Sequence, residues 1–100
     1  MDHVVIFTPE ARQQLVALFR YIAVAASPAT AERYTGNIVF YCESLATFPY
    51  RGRELNEVRP GLRVTHYKKR TVIAFDIDGG VITIIGIFYG GQNYEAALKK

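Results

Sequence analysis

One hundred residues, half of them apolar, suffice for one hydrophobic core and not for two, so residues 1–100 are expected to form a single domain. Apolar runs such as Val4–Phe7 and Val81–Tyr89 fall far short of the roughly 20 residues that a membrane-spanning helix needs. The net charge of +3 is unevenly placed: residues 1–50 carry Arg12, Arg20 and Arg33 against Asp2, Glu10, Glu32 and Glu43, a balance of −1 that leaves +4 for the second half.

Val4, Val5, Ile6 and Phe7 form a short β-branched and aromatic run, which predicts a strand. The Met-Asp-His before it lacks the basic and apolar regions of an export signal, so a cytoplasmic location is expected. Thr8-Pro9-Glu10 then supplies a capping hydroxyl, a proline suited to the first helical position and an acid for the positive helix end. In the helix that follows, Ala11, Leu15, Leu18, Phe19 and Ile22 make one apolar stripe, with Arg12, Gln13, Gln14 and Arg20 facing away. Ser27-Pro28 repeats the start signal, and Tyr34, Ile38, Tyr41, Leu45 and Phe48 make the stripe of a second helix that Pro49 is expected to stop. Cys42, the only cysteine, cannot form an internal disulfide and falls among apolar residues of that helix, so it is read as packing.

Residues 49–61 form a polar connection bracketed by proline and glycine, and loops of that length are often functional. Leu62–Tyr67 and Thr71–Ile77 read as strands joined through Lys68-Lys69-Arg70, and Asp78-Gly79-Gly80 turns the chain into a third, Val81–Phe88. The last strands are apolar on both faces. They need helices on one side and a tail, a loop or another chain on the other. The expected class is α+β: an N-terminal strand, an antiparallel helical hairpin, then a three-stranded antiparallel meander.

Basic residues concentrate between 51 and 70, where Arg51, Arg53, Arg59, Arg63, Lys68, Lys69 and Arg70 face only Glu54 and Glu57. Such a cluster points to an anionic partner, either nucleic acid or an acidic protein segment. His3 and His66 are the only histidines, and their spacing suggests no metal site. Gly79-Gly80 and Gly90-Gly91 follow strands without opening a phosphate-binding helix, so no cofactor is expected.

Several local words fall in a characteristic order: Phe48-Pro49 followed by Gly52, Pro60-Gly61-Leu62-Arg63, Thr71 to Asp76, and Ile84 to Gly91. With the order of elements, they resemble the ParE/RelE superfamily of toxin–antitoxin toxins over nearly the whole chain. Many members end the last strand with a histidine, a small residue, a basic one and an acid, whereas this chain reads Tyr89, Gly90, Gly91, Gln92, Asn93. The resemblance is therefore closest to ParE. It implies a toxin that binds DNA gyrase, blocks religation of cut DNA and stops replication, with no chemistry of its own. It also implies neutralisation by a cognate antitoxin lodged between the helical hairpin and the sheet edge, in a system that serves plasmid stabilisation or a chromosomal stress role.

The alternative is a RelE-like endonuclease that cuts ribosome-bound mRNA, the one reading that makes nucleic acid a partner. In that case Arg63, Tyr89 and Tyr94 are the candidate catalytic set, with Arg63 on the scissile phosphate and a tyrosine as acid–base. Arg63, Lys68, Lys69 and Arg70 are the candidate target- or phosphate-binding residues in either reading. Each has a plainer explanation: Arg63 tied to Glu54 or Glu57 to fasten the loop, the basic turn merely solvated, the tyrosines packed over the sheet, and His66 a partly exposed strand residue.

Overall fold

The computed structural model describes residues 3–99. Strand β1 (Val4–Phe7) leads into helices α1 (Pro9–Ala25) and α2 (Pro28–Ser44). Strands β2 (Arg53–Glu54), β3 (Leu62–Tyr67), β4 (Thr71–Asp78) and β5 (Val81–Tyr89) follow, and helix α3 (Tyr94–Leu98) closes the chain. Both long helices start where the sequence places them. Thr8 Oγ1 accepts from Ala11 N at 3.1 Å and Ser27 Oγ from Thr30 N at 3.1 Å, and a proline follows each cap.

The sheet order is β1-β5-β4-β3-β2. β3, β4 and β5 form the expected antiparallel meander, and β1 adds to β5 in parallel, with Val4 opposite Val81 and Phe7 opposite Ile84. The register slips by one residue between Ala74 and Phe75, which pair with Gly86 and Ile84 and leave Ile85 as the extra residue of a bulge.

The helical hairpin covers one face. Ala11, Leu18 and Ile22 of α1 and Ala31, Ile38 and Cys42 of α2 pack with Ile73, Phe75, Ile82, Ile84 and Ile87. The opposite face has its own cluster: Leu62, Val64, Val72, Ala74 and Phe88 lie under Leu55 and Val58 of the 49–61 connection and under Tyr94 and Leu98 of α3. Both a loop and the tail thus supply the second cover.

Three sequence expectations need correction. α2 ends at Ser44 and not at Pro49, because the chain tightens into successive three-residue turns: Leu45 N bonds to Cys42 O, Ala46 N to Glu43 O and Thr47 N to Ser44 O. That change of winding takes Phe48 off the apolar stripe and leaves it 65% exposed. The 49–61 connection carries β2, paired to β3, and a turn in which Gly61 N donates to Asn56 Oδ1 at 3.0 Å. Gln14 does not face solvent, since it reaches the edge of β5.

Gly52 explains how that connection meets the sheet. It has φ +73°, and a Cβ there would lie 1.9 Å from the carbonyl oxygen of Val64. Only glycine fits so close to a neighbouring strand.

Candidate functional site

Arg63 lies on β3 with its side chain toward the 49–61 connection. Its Nε donates to Arg51 O at 3.2 Å, its Nη1 is 3.9 Å from Glu54 Oε2, and its guanidinium sits 5.6 Å from the centre of the Tyr50 ring. Only 15% of the side chain is accessible. Its donors are directed at the loop rather than at solvent. Arg51 is held likewise, with Nη2 3.4 Å from Ser44 O and the guanidinium over Tyr41 and Phe48.

The three residues of the nuclease alternative do not converge. Arg63 pairs with Phe75 of β4, and Tyr89 of β5 pairs with Thr71, four positions away or roughly 13 Å along the strand. Tyr89 faces the helices, where its ring is 5.9 Å from Tyr34 and 6.0 Å from Tyr21. Tyr94 lies on the other face, 6.3 Å from Phe88, and its hydroxyl accepts from Arg53 Nη2 at 3.1 Å.

Lys68, Lys69 and Arg70 form the exposed turn between β3 and β4. Lys68 adopts φ 58°, and its Nζ is 5.9 Å from the Tyr67 ring. Among the described residues none of the three has a carboxylate within ion-pair distance, so their charge is available to an anionic partner.

Beneath this turn runs a row of half-buried tyrosines that the sequence reading did not assemble: Tyr89, Tyr34, Tyr67 and Tyr41, with successive ring centres 5.5 to 5.9 Å apart. The Tyr34 hydroxyl hydrogen-bonds Thr71 Oγ1 at 2.9 Å and the Tyr41 hydroxyl Thr65 Oγ1 at 3.0 Å, which satisfies two buried threonines. The heptad-like spacing of Tyr34 and Tyr41 on α2 was the available signal.

The turn after β5 has a structural explanation. Gln92 Oε1 accepts from Tyr89 N at 2.9 Å, and Asn93 Oδ1 caps α3 by accepting from Ala96 N at 3.2 Å. His66 is exposed on β3, and His3 lies at the opposite end of the sheet beside Ala46. Among the described residues no three His, Cys, Asp or Glu side chains converge on a metal position, and no helix is long and apolar enough to cross a membrane. Cys42 is fully buried, and burial, aided by Glu43, pushes its thiol up to about 12, far from a reactive thiolate.

Two grooves lie along the helical hairpin. One runs between α1 and α2 on their outer side, with Val16, Phe19, Gly36 and Val39 framed by Arg20 and Glu32. The other lies between α1 and the end of β5, with Leu18, Tyr21, Ile87 and Tyr89 beside Arg70.

The model of one family spans residues 5–94 of this chain: the ParE toxin of the type II toxin–antitoxin system parDE. The chain belongs to that family. The fold agrees with two solved structures. The chromosomal ParDE toxin–antitoxin system from P. aeruginosa superposes with a TM-score of 0.77 at 22% identity, over 88% of this chain and 96% of that one. The toxin–antitoxin complex RelBE2 from Mycobacterium tuberculosis superposes with a TM-score of 0.64 at 17% identity, over 89% of this chain and 99% of that one. At such identities the likeness is one of fold. A search of curated sequences gave no significant match.

Proposed function

We propose that this toxin acts on DNA gyrase, halting religation of cut DNA, and that a cognate antitoxin holds it inactive in the cytoplasm. The observation that carries this reading is the ParE family match over residues 5–94. The structure supports it from the other side: Arg63, Tyr89 and Tyr94, the set an mRNA-cutting relative would need, are spread over two faces and two ends of the sheet. Binding and positioning remain for the surface to do, and Lys68, Lys69 and Arg70, without an ion-pair partner among the described residues, supply a field for an anionic partner. The ParDE and RelBE2 structures come from systems in which a toxin is paired with an antitoxin, and by analogy this chain has such a partner. The groove between α1 and β5 is its proposed seat.

Purified gyrase acting on relaxed plasmid tests the gyrase part. Added protein is expected to abolish supercoiling and to accumulate cleaved DNA, and Tyr89→Phe and Tyr94→Phe are expected to act like the parent. Full supercoiling with the protein in excess sinks the proposal. For the antitoxin, co-expression with the neighbouring open reading frame is expected to yield one complex, and separate elution at micromolar concentration contradicts it.

A further inference from the structure

The helical hairpin has a second side, turned away from the sheet. There α1 presents Val16, Arg20 and Val24, and α2 presents Glu32, Gly36 and Phe40, each set at four-residue spacing and so along one stripe of its helix. All six are exposed, and Val24 at 89% and Phe40 at 74% are the most exposed large apolar side chains among the described residues. The groove between the two stripes holds about 520 Å³, with Leu15, Phe19 and Val39 along it. A Cβ added to Gly36 would meet nothing within 4 Å, so no contact inside the protein calls for glycine there, although glycine weakens a helix interior. A contiguous apolar strip rimmed by charges marks a contact with another molecule.

The charges say which molecule. Arg20 and Glu32 stand six residues before and after Ala26 at the turn of the hairpin, and Val16 and Gly36 stand ten before and after it, so each pair lies nearly level across the groove. Arg12 and Glu43, farther from the turn, repeat the order of a cation on α1 and an acid on α2. Among the described residues none of these four has an ion-pair partner. The charges lining the groove cancel, so the groove selects neither an acidic nor a basic segment. It complements a surface that carries the same two charges in reverse order, and a two-fold axis along the groove supplies one. Such an axis lays α1 of each copy on α2 of the other and makes every contact twice. Arg20 then faces the second copy's Glu32, Glu32 faces the second copy's Arg20, and Val16 meets Gly36, whose missing side chain leaves room for it.

We propose that two copies of this chain associate through the outer faces of their helical hairpins, with reciprocal Arg20–Glu32 pairs beside Val16 seated on Gly36. Two adjacent helices of this length present a face of about 25 by 20 Å, or about 500 Å² per copy. That lies at the low end for a specific interface, so the dimer is reversible, with dissociation in the micromolar range. The groove between α1 and β5 shares no lining residue with this one, and the inference depends on neither gyrase nor an antitoxin.

Sedimentation velocity of the full chain at rising micromolar concentration, in low salt, is the test. The parent is expected to pass from monomer to dimer. Arg20→Glu sets acid against acid and Glu32→Arg sets cation against cation, and each is expected to weaken the dimer at least about tenfold. Both positions are exposed, so the circular dichroism of either variant is expected to match the parent. Mixing the two variants in equal amounts restores opposite charges at both contacts and is expected to recover a dimer that neither forms alone, as is combining Arg20→Glu with Glu32→Arg in one chain. A parent that stays monomeric overturns the proposal and leaves this face to a different protein. Single variants that dimerise like the parent, or a mixture that stays monomeric, overturn it as well.

Discussion

Toward the helices, the sheet buries Ile73, Phe75, Ile82, Ile84 and Ile87 beneath two helices of 17 residues each. On the opposite face Val64, Val72, Ala74 and Phe88 lie beneath one loop and a helix of five residues. The first cover is capped, long and pinned to the sheet through Tyr34–Thr71 and Tyr41–Thr65. The second is not self-supporting: five residues are too few to hold a helix in water, so α3 exists because Leu98 and Tyr94 reach the sheet. One face is therefore scaffold, and the other is a cover that yields at lower cost.

The comparison breaks if the two faces respond alike to truncation. Phe75→Ala, beneath the hairpin, is expected to cost about 4 kcal/mol in urea unfolding, enough to leave little folded protein. Gly52→Ala comes next, at about 3 kcal/mol, because its Cβ meets the Val64 carbonyl and its φ is positive. Leu98→Ala, under the tail, is expected to cost about 2 kcal/mol, with faster hydrogen exchange confined to the strand amides beneath α3. Tyr34→Phe removes the partner of the fully buried Thr71 hydroxyl and is expected to cost about 1 kcal/mol.

The smallest effect sharpens the picture of the second face. Burial raises the carboxyl of Asp76 above the ordinary range, a nearby Arg59 opposes this and Asp78 adds to it. A carboxyl raised in the fold holds its proton more tightly there than in the unfolded chain, so stability declines as pH rises above the unfolded value of about 3.9. Asp76→Asn is accordingly expected to raise the melting temperature at about pH 7 and to have no such effect at about pH 3.

Most of the fold was legible because its signals are local. Thr8-Pro9 and Ser27-Pro28 announce helix starts, Asp78-Gly79-Gly80 announces a hairpin, and strands apolar on both faces announce that two covers are needed. What escaped depends on distant partners. The parallel pairing of β1 with β5 joins residues 77 apart, and β2 is only two residues whose pairing follows from the close approach of Gly52. Gln14 looked solvent-facing by its chemistry, although its place three residues after Ala11 and four before Leu18 put it on the buried stripe. Of the candidate site residues, the basic turn was legible as a surface feature, since three consecutive cations between strands project outward. Arg63 was legible only in its plainer reading, a tie to Glu54 that fastens the loop, whereas its contacts with the Arg51 carbonyl and the Tyr50 ring come from the far side of that loop.

The most direct test sets two assays side by side with the same preparation: supercoiling by purified gyrase, and cleavage of mRNA on programmed ribosomes. Lost supercoiling with trapped cleaved DNA, and intact mRNA, is the predicted result. Undisturbed gyrase together with mRNA cut in a manner that Arg63→Ala or Tyr94→Phe abolishes would contradict the account and make those residues an active site.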